Sequence, residues 1–296
     1  MEASRAPGPL RTVLLMAMLS LIWGTSWLVI KIGLQDIPPF TGAALRFLIA
    51  GTCMIGVAHL LSAREGGGRP ALSVVIAHGT CQFALNYGLV YVCQTVIPSG
   101  MVAVIWAVFP LFIALGEHFV VGTQRLSGRK WLGIVVSFSG IAALFATDLR
   151  DVDARAVPMG LLLLLAPFSV AASTLYFKHK AGHVSSLLLN RDAMWLGAAM
   201  LGACAFVLEQ PLEVVWTARA VMSLLYLSLM ASVLTFGVYF WLLRYVPAYR
   251  MSMISFITPL VALLIGAFIG GEPIGPRTVF GALLVLGGVG LTVQRG

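Results

Sequence analysis

Leu85–Pro110, LNYGLVYVCQTVIPSGMVAVIWAVFP, and Leu234–Pro259, LTFGVYFWLLRYVPAYRMSMISFITP, carry the reading of the fold. At an offset of 149 they align Leu85 with Leu234, Gly88 with Gly237, Pro98 with Pro247 and Pro110 with Pro259. After one inserted residue the offset is 148, and Gly133 meets Gly281 while Gly140 meets Gly288. The matched residues hold equivalent places in equivalent apolar runs, which is the mark of a duplicated unit. The repeats are placed at 1–148 and 149–296.

Working outward, the chain offers ten apolar runs, at 12–33, 39–62, 71–92, 98–121, 129–147, 157–178, 185–208, 220–243, 246–270 and 277–293. A helix needs about 20 such residues to cross a bilayer. Period-2 alternation is absent, and backbone in lipid must be hydrogen-bonded within its own segment, so the expectation is an all-α polytopic membrane protein with ten transmembrane helices. Composition agrees. Of 296 residues 59% are hydrophobic and 10% charged, and mean hydropathy is +0.97. A soluble domain carries about 25% charged residues, so soluble enzymes, disulfide scaffolds and disordered chains are excluded. The net charge of +8 forms no basic stripe for nucleic acid.

With the N-terminus in the cytoplasm, 13 Lys and Arg fall on that side and 5 on the other, which is the bias that insertion imposes. Arg46 alone is left inside a span. Both termini are thus expected to be cytoplasmic. Five helices per repeat is an odd number, so the second repeat is expected upside down relative to the first, an arrangement suited to alternating access. The first run is too long for a signal-peptide core and lacks an A-x-A site. Cys53, Cys81, Cys93 and Cys204 lie in apolar runs with no metal-ligand spacing, and read as small core residues.

The stretch Leu21–Lys31, LIWGTSWLVIK, with Pro38, Pro39 and Arg46-Phe47, resembles the first two helices of EamA-type members of the drug/metabolite transporter superfamily. Pro259, Gly271-Glu272 and Gly281 repeat that family's habit in the second half. The first half departs from it: Thr123-Gln124 stand where Gly-Glu is expected, although Trp131-Leu132-Gly133 follow. The resemblance implies a ten-helix basket around a central cavity lined by helices 1, 3, 4, 6, 8 and 9. It also implies carriage of small metabolites, often amino acids, usually outward across a bacterial inner membrane.

Polar residues inside apolar runs are the candidate site. His78, Gln82 and Asn86 recur every four residues and would share one helical face, serving either interhelical hydrogen bonds or a cavity. Ser228, Ser232, Thr235 and Tyr239 repeat the arrangement, with Thr235 the partner of Asn86 at the 149 offset. Trp23, Ser26 and Trp27 surround Gly24, while Ser169, Ser173 and Tyr176 lie in the sixth run. Trp23 lies too deep for an interfacial belt, and either walls a pocket or packs a core. Trp106 and Ser255 each precede a proline, Pro110 and Pro259, which remove backbone hydrogen bonds and serve as candidate hinges. Tyr91 and Tyr249 read as interfacial aromatics.

Charges within lipid are costly and are read one by one. Arg46 is expected to pair with Asp36 or a helix carbonyl, or else to meet an anionic substrate. Glu117, beside His118, either titrates during proton coupling or snorkels to the interface. Lys31 reads as an interfacial anchor.

The functional expectation is a secondary exporter of a small neutral or zwitterionic metabolite, an amino acid or related compound. Cationic drugs would call for a deep carboxylate and phosphosugars for several deep cations. The alternatives are an importer or exchanger of sugar- or nucleotide-type metabolites with the same fold, and an intramembrane enzyme. No nucleophile–base pair or paired carboxylates stand within the spans, and no GxxxxGK[ST] occurs, so neither catalysis, cofactor nor metal is expected. The expected partners are the small-molecule substrate and the lipid bilayer, with no nucleic acid. Gly281, Gly287, Gly288 and Gly290 suit close packing in a homodimer or within one chain.

Overall fold

The computed structural model describes residues 7–122, 125–180, 184–209, 213–242, 245–246, 251, 254–272 and 274–293. Among these the chain is helical, with an isolated bridge between Gly68 and Val184 as the one strand-like contact. Helices α1 (Pro9–Gly33) and α2 (Pro39–Glu65) each begin on proline, whose locked φ and missing N–H suit a first turn. The third run folds as α3 (Leu72–His78), a π-helical stretch Gly79–Leu85 and α4 (Asn86–Gln94). The fourth is α5 (Ser99–Trp106) and α6 (Phe109–Gly116), followed by a π turn at Glu117–Val121. After α7 (Gly128–Val152) come α8 (Ala156–Leu163), α9 (Leu165–Lys180) and α10 (Ser186–Leu208). Then α11 (Ala218–Leu225), a second long π stretch Tyr226–Leu234 and α12 (Thr235–Leu242) form one rod. α13 (Ile254–Phe268) and α14 (Pro276–Val293) complete the described residues.

Seven helical stretches of the described residues are long and apolar enough to cross a membrane, and Ile254–Phe268 is a shorter apolar helix. The rod Leu72–Gln94 falls outside that set because His78, Gln82, Asn86 and Gln94 dilute its apolar content. Large apolar side chains such as Phe206, Phe268 and Val120 stand exposed on the outer faces, where lipid rather than water would meet them. The chain is a multi-pass membrane protein.

Two antiparallel helix pairs frame the molecule. In the α7–α14 pair Gly133 crosses Gly288 and Gly140 crosses Gly281; a methyl built on Gly140 would lie 2.8 Å from the Gly281 carbonyl oxygen. Ser137 Oγ donates across the same seam to Val285 O at 3.0 Å. Gly281 and Gly288 are therefore filled by packing within the chain, whereas Gly287 faces open space. In the α2–α10 pair each helix ends on a carboxylate that reaches the start of the other. Glu65 accepts from Ser186 N and Leu187 N, both at 3.1 Å, and from the Ser185 and Ser186 hydroxyls. Glu209 accepts from Phe40 N at 2.6 Å and from Thr41 N and Oγ, both at 2.8 Å. A carboxylate at a helix N-terminus satisfies orphan N–H groups and meets the positive end of the dipole.

A third carboxylate repeats the device. Glu272 accepts from Ser99 N at 2.7 Å, Ser99 Oγ at 2.9 Å and Gly100 N at 3.1 Å, fastening the α13–α14 connection onto α5. Asp36, between α1 and α2, takes a fork of two 2.7 Å hydrogen bonds from Arg219 and a third from Thr217, whose Oγ also caps α11. Arg46 lies elsewhere, so the pairing of Arg46 with Asp36 expected from sequence is corrected: Arg219 is nearer the helix end and claims the carboxylate. The cysteines divide likewise. Cys93 is buried, but Cys204 is exposed on the outer face rather than in the core.

Gly288→Val is expected to lower stability in detergent by about 1–3 kcal/mol through overpacking. Gly287→Val, where nothing lies within 4 Å, should leave the melting temperature unchanged. Hydrogen bonds from Arg219 and then Thr217 hold the Asp36 carboxyl at about 2, below its ordinary 3.8. Its stabilisation is thus present above pH 3.8 and lost as pH falls through about 2. The melting-temperature gap between the protein and Asp36→Asn should therefore stay constant down to about pH 4.5 and close toward about pH 2.

Candidate functional site

The two long π stretches occupy matching places. Gly79–Leu85 ends immediately before Asn86 and Tyr226–Leu234 immediately before Thr235, the pair aligned by the repeat. A π turn bonds each N–H five residues back instead of four and often marks a functional position. Ser232 follows that spacing, its hydroxyl donating to Leu227 O at 2.9 Å.

His78, Gln82 and Asn86, expected on one face, meet different neighbours along the rod. His78 is directed at α9 and α10: its Nδ1 lies 2.8 Å from Ser173 Oγ, and Asn190 faces the ring. Asn86 instead accepts from Trp106 Nε1 on α5 at 3.0 Å and returns a hydrogen bond from Nδ2 to Gln82 O. Gln82 is half-buried between them. On the matching rod Ser228, Ser232 and Thr235 are fully buried, and the Ser228 and Thr235 hydroxyls have no hydrogen-bond partner.

Aromatic rings fill the space where these rods meet α1 and α5. Trp23 packs at 5.4 Å on Tyr239 and at 6.0 Å on Phe236. Trp27 meets Trp106 at 6.2 Å, and Trp106 stacks on Phe109 at 5.3 Å. Phe83 joins Phe236 to Phe47, which in turn abuts Tyr87. A void of about 10 Å³ beside Tyr91 and a groove of about 380 Å³ between α2 and α10 both lie away from this cluster. Neither of these two spaces is the central cavity expected from the family resemblance. Trp23, Trp106 and Tyr239 are only half-buried, and Ser255 on α13 is likewise half-buried. Ser26 is buried and turned onto its own helix, donating to Ile22 O at 2.5 Å. On α9 Tyr176 is 39% exposed, whereas Ser173 is buried.

The hinge prolines behave differently from each other. Pro110 sits in the first turn of α6, after a turn at residues 107–108 that separates it from α5. Pro259 lies inside a continuous α13. Among the charges, Arg46 is 1% exposed and donates from Nε to Ser232 Oγ at 3.1 Å and from Nη2 to Ala231 O at 3.4 Å. Tyr87 and Phe47 cover its guanidinium at 4.5 and 5.2 Å. Of the alternatives for Arg46, the helix carbonyl is the one occupied. Tyr91 is buried against Gly42, not interfacial. Lys31, in the last turn of α1, is half-buried and donates to Ile97 O at 3.3 Å, near Glu272. Glu117 is buried at the start of its π turn. Thr123, Gln124, Pro247 and Tyr249 lie outside the described residues.

Sequence reasoning passed over Asn190, Tyr87 and the hydrogen-bonding role of Ser232. Asn190 read as part of a helix start; the usable signal was a buried-side amide one turn beyond the Ser185-Ser186 cap. Among the described residues no cluster of three His, Cys, Asp or Glu side chains is placed to hold a metal.

The EamA-like transporter family model matches twice, over residues 10–146 and 158–294. The uncharacterized transporter YoaV of Bacillus subtilis is 28% identical, over 91% of this chain and 92% of its own length. The uncharacterized inner membrane transporter YedA of Escherichia coli K12 is 27% identical, over 86% and 81%. A probable amino-acid metabolite efflux pump of E. coli K12 is 24% identical, over 92% and 91%. A solved crystal structure shares the fold, with a TM-score of 0.67 at 18% identity over 96% of this chain and 98% of that one.

Trp106→Phe keeps a ring in place but strands the buried Asn86 Oδ1, at an expected cost of about 1–3 kcal/mol in thermal or denaturant unfolding. Adding Asn86→Leu should recover part of that loss, because removing both partners leaves no orphan.

Proposed function

We propose that this chain, which belongs to the EamA-like transporter family, is a secondary exporter of a small neutral or zwitterionic metabolite, an amino acid or related compound. It works by alternating access between two inverted five-helix halves, ten helices in all, with both termini in the cytoplasm. The observation that carries the reading is the reciprocity of the contacts between halves. Gly133 crosses Gly288 while its repeat partner Gly281 crosses Gly140, the repeat partner of Gly288. Glu65 caps the start of α10 while Glu209 caps the start of α2. Contacts of this kind arise when two like units face each other about a two-fold axis, and an odd number of helices per unit makes the axis lie in the membrane plane.

The matched π stretches are then the moving parts. Each ends at the residue, Asn86 or Thr235, expected at the same depth in its half, and each rod is packed by rings that only partly exclude solvent. A substrate would be admitted by parting Trp23, Trp27 and Trp106 from Tyr239 and Phe236. Ser26, Gln82, Ser173, Tyr176 and Ser255 are the remaining candidates for contact as the rods move. Pro110, at a break in the helix, is the better hinge than Pro259.

The charge inventory supports cargo without net charge. Arg46 is engaged by Ser232, Ala231 and two rings, leaving no cluster of cations for a phosphosugar among the described residues. The relative named as an amino-acid metabolite efflux pump supports both cargo class and direction.

Counterflow in proteoliposomes tests this directly. Preloaded alanine, threonine or phenylalanine should exchange for its labelled form, while glucose 6-phosphate should not. Robust phosphosugar exchange with no amino-acid exchange would overturn the assignment.

A further inference from the structure

Asp36 and Arg219 join the two halves at the start of one of the π-bearing rods. Asp36, between α1 and α2, is 8% exposed, while Arg219 stands exposed in the first turn of α11. The guanidinium gives the Asp36 carboxylate two hydrogen bonds of 2.7 Å and a further one to Gln35 Oε1. Thr217 Oγ adds another to the carboxylate at 2.7 Å, and Val215 N donates to the Asp36 carbonyl at 3.0 Å. Behind this pair the seal is small. Ile37 and Ala220, next to the paired residues in sequence, form with Leu224 an apolar cluster of their own, separate from the main core. Further along the same junction lies the void of about 10 Å³, with Leu34, Gly42, Tyr91, Ser223 and Leu227 among its walls and room for about one water molecule. A methyl built on Gly33 would lie 3.3 Å from Ser223 Cβ, so α1 and α11 approach here without a side chain of Gly33 between them.

The matching rod starts without this device. α3 and α11 each open a rod that runs into a long π stretch, and counting from their N-caps, Ala71 and Thr217, Ser73 holds the place of Arg219. Thr217 caps α11 through its hydroxyl, whereas Ala71 offers no side-chain cap. Ser73 is exposed and carries no charge, and near it the halves meet through backbone, Ser185 N donating to Gly68 O at 2.9 Å. Two inverted halves of equal energy would populate both facing states equally, and an ion pair at one end alone tilts that balance. A pair with one partner exposed is worth at most about a five-fold shift. That is enough to favour closure and little enough to be broken in every cycle.

We propose that the junction of α1, α2 and α11 is the gate on this face of the carrier, and that the Asp36–Arg219 pair is its latch. This rests on the transport reading above. With the pair made, the second-half rod is held against the α1–α2 connection; with it broken, Ile37 parts from Ala220 and Leu224 and the rod moves away. In the orientation proposed above this face is the outer one, so the resting carrier is closed to the outside and takes its cargo from the cytoplasm.

The full chain carrying Asp36→Cys and Arg219→Cys together is reconstituted in proteoliposomes. Counterflow of radiolabelled alanine, threonine and phenylalanine is measured before and after a short bis-methanethiosulfonate links the two thiols, and again after dithiothreitol. Linking should abolish counterflow and reduction restore it, while either substitution alone, the control for the native cysteines, should leave it unaffected by the reagent. Arg219→Gln reads the latch without cross-linking. In right-side-out membrane vesicles its half-saturation for cargo added outside should fall by up to about five-fold, and added salt should lower that of the unaltered protein but not that of the variant. Undiminished counterflow in the linked protein overturns the gate. A half-saturation in Arg219→Gln equal to that of the unaltered protein overturns the latch. Absence of counterflow by the unaltered protein with all three amino acids overturns the transport reading itself.

Discussion

A peptide carbonyl or N–H released from its helix inside hydrocarbon has no water to turn to, so it must find a partner within the protein. This chain releases such groups at its π turns, at the Ala107–Val108 break and at its helix ends, and several of its polar side chains are spent on them. Arg46 is the clearest case. A guanidinium 1% exposed would be prohibitive in lipid, yet here it donates into the π stretch of the opposite half, to Ala231 O and Ser232 Oγ, beneath the rings of Tyr87 and Phe47. It fixes the irregular segment to α2 while the rings replace part of its hydration.

Helix ends show the same economy. Glu65, Glu209 and Glu272 each leave their own element and accept from the first N–H groups of another, so one carboxylate both satisfies orphan donors and ties two helices. These contacts sit at helix ends, while glycine crossings hold the α7–α14 pair along its length. In the function proposed above, this frame stays fixed and the π rods with their aromatic packing rearrange.

Much was legible from residues alone. The apolar runs gave the helices, because lipid admits little else, and the repeat located the glycines of α7 and α14 before their crossing was visible. Asn86 and Thr235 were paired from the offset, and both prove to stand directly after a π stretch. What the spacing of His78, Gln82 and Asn86 did not tell was the neighbour each would meet: His78 meets α9 and Asn86 meets α5. Tyr91 was read from its nearness to a helix end, and it is instead buried against Gly42.

Composition and periodicity by themselves determined that this chain lives in a bilayer as helices and is built twice over, since both follow from local hydropathy and from order along the chain. Which polar atoms meet, and which are left waiting, was decided by tertiary structure. The pairing of Asp36 with Arg219, the unspent Asn190 Oδ1 beside His78, and the rings crowding the centre all depend on helix rotation and on contacts between residues far apart in sequence. Such rotations are set by packing between helices, and no pattern of residue types along the chain announces them.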